Sequence, residues 1–335
     1  MSCGSDEHDE VVSCLLHEPE AFDAARERRV EAGGDEIFLR RHRQASRPRR
    51  GRDLPWPFFA PPPQCYLCGS MSNEAKGAAN ERRREVIGIV GGLGPWAHLD
   101  LERCLLEAAA ELAGVRWEQD LPEWILSSVP ATPDRSLALA GGAGDPMPDL
   151  VRSLRRLEPR LAGDGTTVEG AGFAVIACHT AHAYLPALRA SSTLPILDMV
   201  ETTAEHVARE HPGATAGLLA TTGTLAARIY ESALGTRRIG CVSLPDLDGG
   251  ERLQESLIMT AVYAIKAGGS ADAELAALEE AGRRLVAEGG ADVLVAACTE
   301  LAIVLRGRTI AGAPVVDPTR LLARAAVRRA YGLSE

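Results

Sequence analysis

The sequence has almost no lysine. Lys76 and Lys266 are the only two among 36 basic residues, and every other formal cation is arginine. Positive charge is in deficit as a whole, with 46 acidic residues and a net charge of −10. The first 84 residues hold 14 of each sign, so residues 85–335 carry the entire imbalance. A body of that charge excludes non-specific binding to nucleic acid or anionic lipid, since both depend on a positive field. Any acidic substrate must then be held by a few local cations, and Lys266 is the single lysine the body can offer. No apolar run approaches the ~20 residues of a membrane-spanning helix, which excludes an integral helical membrane protein. The opening MSCGSDEHDEVVS is acidic and has no apolar core ahead of a cleavage site, so no secretory signal is expected. Eight cysteines in 335 residues are too few for a disulfide scaffold. Free thiols in a reducing cytoplasm are the expectation.

What is present is ordinary globular material, 46% apolar and 24% charged, in a length that admits two domains. Residues 1–84 have a different texture. They contain the basic runs Arg40–Arg43 and Arg47–Arg52 and a proline-rich stretch from Pro55 to Pro63. Apart from a helical pattern near Glu18–Ala32 there is no sustained period, and a poorly ordered, solvated extension is expected. Cys65-Tyr66-Leu67-Cys68 is a lone CxxC without a second pair, so no metal site is expected from it. Met71 stands just ahead of the first clear element, and a true start there would account for the whole segment.

From residue 85 strands alternate with helices. Val86–Val90 ends in Gly91-Gly92-Leu93-Gly94-Pro95, and a helix is predicted over 96–113. Strands are predicted at Trp124–Val129, Phe173–Ala177, Pro195–Leu197, Ala216–Ala220, Val293–Ala297 and Val315–Val316. Helices are predicted at 146–161, 181–190, 201–210, after Thr224, and at 250–267, 272–288 and 319–331. Continuous apolar strands separated by helices imply parallel sheets covered on both faces, with ligands bound off the carboxyl ends of the strands.

One pattern occurs twice. Val175-Ile176-Ala177-Cys178-His179-Thr180 and Val295-Ala296-Ala297-Cys298-Thr299-Glu300 each place a cysteine and a threonine at the carboxyl end of a buried strand, just before a helix. A thiol there lies near free backbone N–H groups and the positive end of a helix dipole, which favours the thiolate. A free cysteine has a pKa of ~8.5, so a modest downward shift makes it a usable base. A free cysteine is commonly just a small buried hydrophobe, but two in matching strand-end sites point to chemistry. Two opposed thiols can address both faces of one carbon, as inversion of a stereocentre by proton transfer requires.

At these residues the sequence resembles the aspartate/glutamate racemase family, and in particular the cofactor-independent aspartate racemases. The resemblance runs from about Val86 to Ala330. It is carried by IGIVGGLGP at 87–95, PDR at 133–135, GDPMP at 144–148, CHTAHAYLP at 178–186, LLATTGT at 218–224, IKAG at 265–268, AACTEL at 296–301 and VDPT at 316–319. It implies an α/β fold of two pseudo-symmetric lobes, each a parallel sheet flanked by helices, with the active site in the cleft between them. The lobes would be 85–197 with the last helix (319–335), and 198–318. It implies Cys178 and Cys298 as the two catalytic thiols, with Arg135 and Lys266 holding the substrate's distal carboxylate. Thr180, Thr222 and Thr299 are candidates for the α-carboxylate, although each could equally be a helix cap. His179 stands where the family usually has asparagine. A larger ring that can carry charge could contact the same carboxylate, tune Cys178 or reshape the pocket. Neither a cofactor nor a metal is implied, and a cytoplasmic homodimer is expected.

Gly92-Leu93-Gly94-Pro95-Trp96-Ala97 also satisfies the G-x-G-x-x-A dinucleotide fingerprint. The second strand ends in Ser127-Ser128-Val129-Pro130, with no acidic residue for a ribose, which argues against a nicotinamide enzyme. The expected activity is interconversion of L- and D-aspartate, or of glutamate. The alternatives are a maleate-type isomerase, a malonate-type decarboxylase, or a catalytically silent ligand-binding protein of the same fold.

Overall fold

Consecutive apolar residues without polar alternation fit a strand covered on both faces. β1 (Ile87–Gly91) is buried at every position and forms the centre of a three-stranded parallel sheet. The computed structural model describes residues 84–162, 166–269 and 271–334. The arginine runs, the pattern near Glu18–Ala32 and the Cys65–Cys68 pair lie outside the described residues.

α1 (Pro95–Ala113) leaves β1 with Pro95 in its first turn, where a missing N–H costs nothing. Then come β2 (Trp124–Ser128), α2 (Arg135–Leu139), α3 (Met147–Leu157), the exposed pair β3 (Arg160–Leu161) and β4 (Thr167–Val168), and β5 (Phe173–Ile176). β2 and β5 flank β1 in parallel, with Ile87 opposite both Trp124 and Phe173. A 3₁₀ turn over Thr180–Tyr184 and α4 (Leu185–Ser191) follow. The expected strand at Pro195–Leu197 is reduced to one parallel bridge between Ala174 and Ile196.

α5 (Met199–Glu210) leads to β6 (Thr215–Ala220), α6 (Thr222–Ala226), α7 (Ile229–Gly235), β7 (Gly240–Ser243) and α8 (Gly250–Leu253). The helix expected over 250–267 is interrupted by a π turn at Gln254–Met259 before α9 (Thr260–Lys266). α10 (Ala271–Ala287), β8 (Val293–Ala297), α11 (Thr299–Leu305), β9 (Thr309–Ile310), β10 (Ala313–Val316) and α12 (Pro318–Tyr331) complete the chain. The second sheet has the order β7-β6-β8-β10-β9. Its strands are parallel except at one edge, where β9 turns back antiparallel on β10. Ala311 (φ 50°) and Gly312 (φ 90°) make that two-residue turn, whose paired positive φ values match the twist of a tight hairpin.

The pleat of β1 divides the first core. Ile87 and Ile89 join Leu101 and Leu105 of α1 and Leu322, Ala326 and Val327 of α12. Val90 on the other side joins Leu150 and Leu154 of α3 and Leu188 of α4. The last helix of the chain is thus part of the first sheet's core. β5 and β8 carry the two cysteines of interest just past their carboxyl ends, where a parallel sheet leaves backbone groups free for ligands.

Candidate active site

Cys178 and Cys298 line one small pocket together with Arg135, His179, Thr180, Lys266 and Thr299. Seven of the eight positions singled out from the sequence therefore converge. The exception is Thr222, which is exposed and donates its hydroxyl to Glu255 Oε1 at 3.2 Å. Its neighbour Thr221 lines the pocket instead. The reason is local. Thr221 is the N-cap of α6, and its hydroxyl, turned inward, accepts from the Thr224 N–H at 3.2 Å. Thr222, the first helical residue, is turned outward. The hydroxyls of Thr180, Thr221 and Thr224 form a buried triangle with all three separations 2.9 Å.

Cys178 is held by its own backbone. Its carbonyl accepts from His182 Nδ1 at 2.8 Å, while His182 Nε2 accepts from the Met199 N–H at 3.3 Å. Those two bonds require a neutral ring protonated at Nδ1. Burial agrees, pushing the His182 pKa down. The same side chain therefore ties the end of β5 to the first turn of α5.

Arg135 opens α2, which is capped by Asp134 through bonds from the Ser136 and Leu137 N–H groups. Its guanidinium donates to the Pro133 carbonyl at 3.1 Å and to the Leu93 carbonyl, leaving Nε buried without a partner. Burial opposes its charge, but its interactions with Cys178, Asp134 and Glu300 outweigh that and raise the arginine pKa. Lys266 closes α9 and pairs with Asp134 Oδ2 at 3.2 Å. Burial again opposes the charge, and Glu300, Cys298 and Asp134 together overcome it. Burial of Asp134 is likewise outweighed by Lys266 and by its capping bonds, which hold its carboxyl below the usual range.

Cys298 differs from the sequence expectation. The start of α11 does not make it acidic. Burial and the adjacent Glu300 push its thiol pKa well up, against the pull of Lys266. The thiol donates to Glu300 Oε2 at 3.2 Å, and the Thr299 hydroxyl donates to the same oxygen at 2.9 Å. The two sulfurs are thus unlike, Cys178 facing a guanidinium and Cys298 bonded to a carboxylate. Cys241, away from the pocket, is pushed up to about 12 by burial and carboxylates alone, and Cys104 is also raised.

His179 is 2% exposed, and neither ring nitrogen has a partner. Burial, helped by His182, holds its pKa well down, so the ring is neutral. Its nearest aromatic neighbour is Tyr230, with ring centroids 5.9 Å apart.

The glycine turn serves this pocket. A Cβ on Gly92 (φ 79°) would fall 2.3 Å from the Val129 nitrogen, and one on Gly94 (φ 139°) only 2.1 Å from Glu300 Oε1. A turn seated against a carboxylate is no cradle for pyrophosphate, in agreement with the argument against a nicotinamide enzyme. Among the described residues no group of three or more His, Cys, Asp or Glu side chains is placed to hold a metal. No helix among them is long and apolar enough to cross a membrane.

Residues 90–326 match the Asp/Glu/hydantoin racemase family. The chain belongs to that family. Similar solved structures include an aspartate racemase from Picrophilus torridus, 23% identical with a TM-score of 0.56, covering 74% of this chain and 94% of that one. An aspartate racemase homologue from Pyrococcus horikoshii OT3 is 19% identical with a TM-score of 0.52, covering 73% of this chain and 99% of the other. These likenesses establish the mixed α/β racemase fold. An uncharacterized protein in the pnlA 3' region of Pectobacterium carotovorum is 37% identical over 89 residues, 27% of this chain. That match spans about half, 54%, of the curated relative's length.

Three side chains of this pocket, Asp134, Thr221 and Glu300, were not singled out from the sequence, nor was His182, which stands behind it on the Cys178 carbonyl. Asp134 and Glu300 stand inside the quoted motifs PDR and AACTEL, so their adjacency to Arg135 and Cys298 was the available signal. His182 and Thr221 act through hydrogen bonds to distant backbone or side chains, which no local pattern reveals.

Proposed function

We propose that this chain racemises an acidic amino acid, aspartate before glutamate, by proton transfer between two cysteines without a cofactor. The observation that carries the reading is that Cys178 and Cys298, from the ends of strands in two different sheets, line the same pocket. In one direction Cys178, beside Arg135, is the base and Cys298, hydrogen-bonded as a thiol to Glu300, is the acid. Cys178 takes the α-hydrogen, and Cys298 delivers its own proton to the opposite face of the carbanion. The resulting Cys298 thiolate is then steadied by Lys266, whose charge already favours that form. The reverse reaction starts from the exchanged protonation states. Carbanion charge delocalises into the α-carboxylate, to which the pocket-lining Thr180 and Thr221 hydroxyls would donate by giving up a bond of their triangle.

Arg135 and Lys266 suit the distal carboxylate, because they are the cations lining an otherwise acidic protein's pocket. Lys266 is already paired with Asp134, so the substrate has to share that ammonium rather than claim it free. A decarboxylase that protonates one face needs a single thiol, so the presence of both supports racemisation.

Incubation with L- or D-aspartate in D2O tests the proposal. Deuterium should appear at Cα, with both enantiomers formed from either. Cys178→Ser and Cys298→Ser should each lower racemisation by about a thousandfold or more. Absence of exchange with aspartate, glutamate or any other amino acid would overturn the reading, and full activity after either substitution would overturn the two-thiol mechanism.

A further inference from the structure

Three polar side chains lining the pocket carry buried atoms without partners: Arg135 Nε, both ring nitrogens of His179, and Glu300 Oε1. Buried polar atoms are almost always satisfied, and those that are not await a ligand or an ordered water. The first two can serve as donors, as suits a carboxylate. Glu300 is different, being acceptor-only when ionised, 2% exposed, and bonded through Oε2 alone to Cys298 Sγ and the Thr299 hydroxyl. Its other oxygen rests against the glycine turn, where Gly94 leaves the space that any Cβ would fill.

We propose that Glu300 Oε1 is the anchor for the substrate's α-ammonium group, and so the residue that restricts this pocket to amino acids rather than plain dicarboxylates. This rests on the racemase reading above and deepens it. An acidic amino acid carries one cation and two carboxylates. The carboxylates are drawn to Arg135, Lys266 and the threonine hydroxyls and repelled by Glu300, which leaves the ammonium as the group Glu300 accepts. The geometry serves the chemistry as well. The ammonium nitrogen is one bond from Cα, and the opposite oxygen of the same carboxylate already holds the Cys298 thiol. One side chain therefore sets the distance between the reacting carbon and its proton donor.

The test compares aspartate with succinate, which has the same two carboxylates and no ammonium. Binding is measured by calorimetry in a Cys178→Ala/Cys298→Ala protein, where no turnover intervenes. Glu300→Gln should weaken aspartate by about tenfold or more and leave succinate unchanged or tighter. Retained succinate binding shows that the variant is folded. Equal weakening of both ligands, or of neither, overturns the proposal, as it would if a water satisfied Oε1. Should Glu300→Gln fail to fold, the Glu300-containing protein decides alone. There succinate and N-acetylaspartate should each bind at least about tenfold more weakly than aspartate, and comparable affinities overturn the assignment. Failure of the underlying reading is a separate result. Selective aspartate binding without α-hydrogen exchange in wild type would leave the ammonium site standing and the racemase reading refuted.

Discussion

Thr221 and Thr222 are adjacent in the chain and have opposite fates, one in a buried hydroxyl triangle and the other exposed beside Glu255. Thr222→Ala should keep kcat/KM within about twofold of wild type, whereas Thr221→Val should lower it by about tenfold or more, measured as initial rates of racemisation. Gly94 gives a second contrast. Gly94→Ala brings a methyl group onto Glu300 Oε1, at a backbone angle that L-residues rarely adopt. Its KM for aspartate should rise by about tenfold or more, since the carboxylate has to move away from the turn. His182 touches none of the reacting atoms in this scheme and acts through the Cys178 carbonyl. His182→Ala should lower kcat more than it alters KM, with partial recovery in His182→Gln, which restores a donor and an acceptor. Single-turnover and steady-state rates together separate these effects.

At the scale of elements, Arg306 joins two helices through their carboxylates. It grips Asp100 of α1 with two nitrogens, at 2.9 and 2.6 Å, and reaches Asp317, the cap of α12, at 2.5 Å. Removing it leaves Asp100 only Arg103 and Asp317 only its capping N–H bonds, so Arg306→Leu should cost stability at or below the low end of about 3–5 kcal/mol. Burial, with Asp100 beside it, raises the Asp317 pKa to about 6. A folded state that holds this proton more tightly than the unfolded chain is favoured in acid, and the advantage fades as pH rises through about 6. The deficit of Arg306→Leu should therefore be smaller at pH 5 than at pH 7.5 in denaturant titrations.

Much of this architecture was legible in the sequence, for reasons that differ by element. β1, β5, β6 and β8 are continuous apolar runs between glycine or helix signals, and such runs leave little choice. β7 escaped notice because Gly240-Cys241-Val242-Ser243 is a short edge strand, half open to solvent. The β9–β10 hairpin carries Ala-Gly where asparagine or aspartate would announce a tight turn, so its sign was faint. The π turn at Gln254–Met259 is set by tertiary bonds, including Gln254 Nε2 to the Ala220 carbonyl at 2.8 Å, which helical periodicity cannot show. In the site, repetition of the strand–cysteine pattern revealed both thiols. Glu300 was hidden in plain sight, because a carboxylate at the start of a helix reads as an ordinary dipole partner.

For the molecule as a whole, the dominant facts are a net charge of −10 and a pocket with two cations, Arg135 buried and Lys266 half-buried and paired with Asp134. Salt should screen the long-range repulsion of a dianionic substrate while reaching the pocket itself only weakly. Moderate salt should accordingly lower the KM for aspartate and leave kcat nearly constant, a split that stopped-flow binding and steady-state rates would register. The final helix makes a different demand. Because Leu322, Ala326 and Val327 close the core built on Ile87 and Leu101, β1 stays without its cover until α12, more than 200 residues later, has been made. A nascent chain halted before Pro318 would expose a bare apolar flank to chaperones, so vectorial synthesis gives β1 no head start.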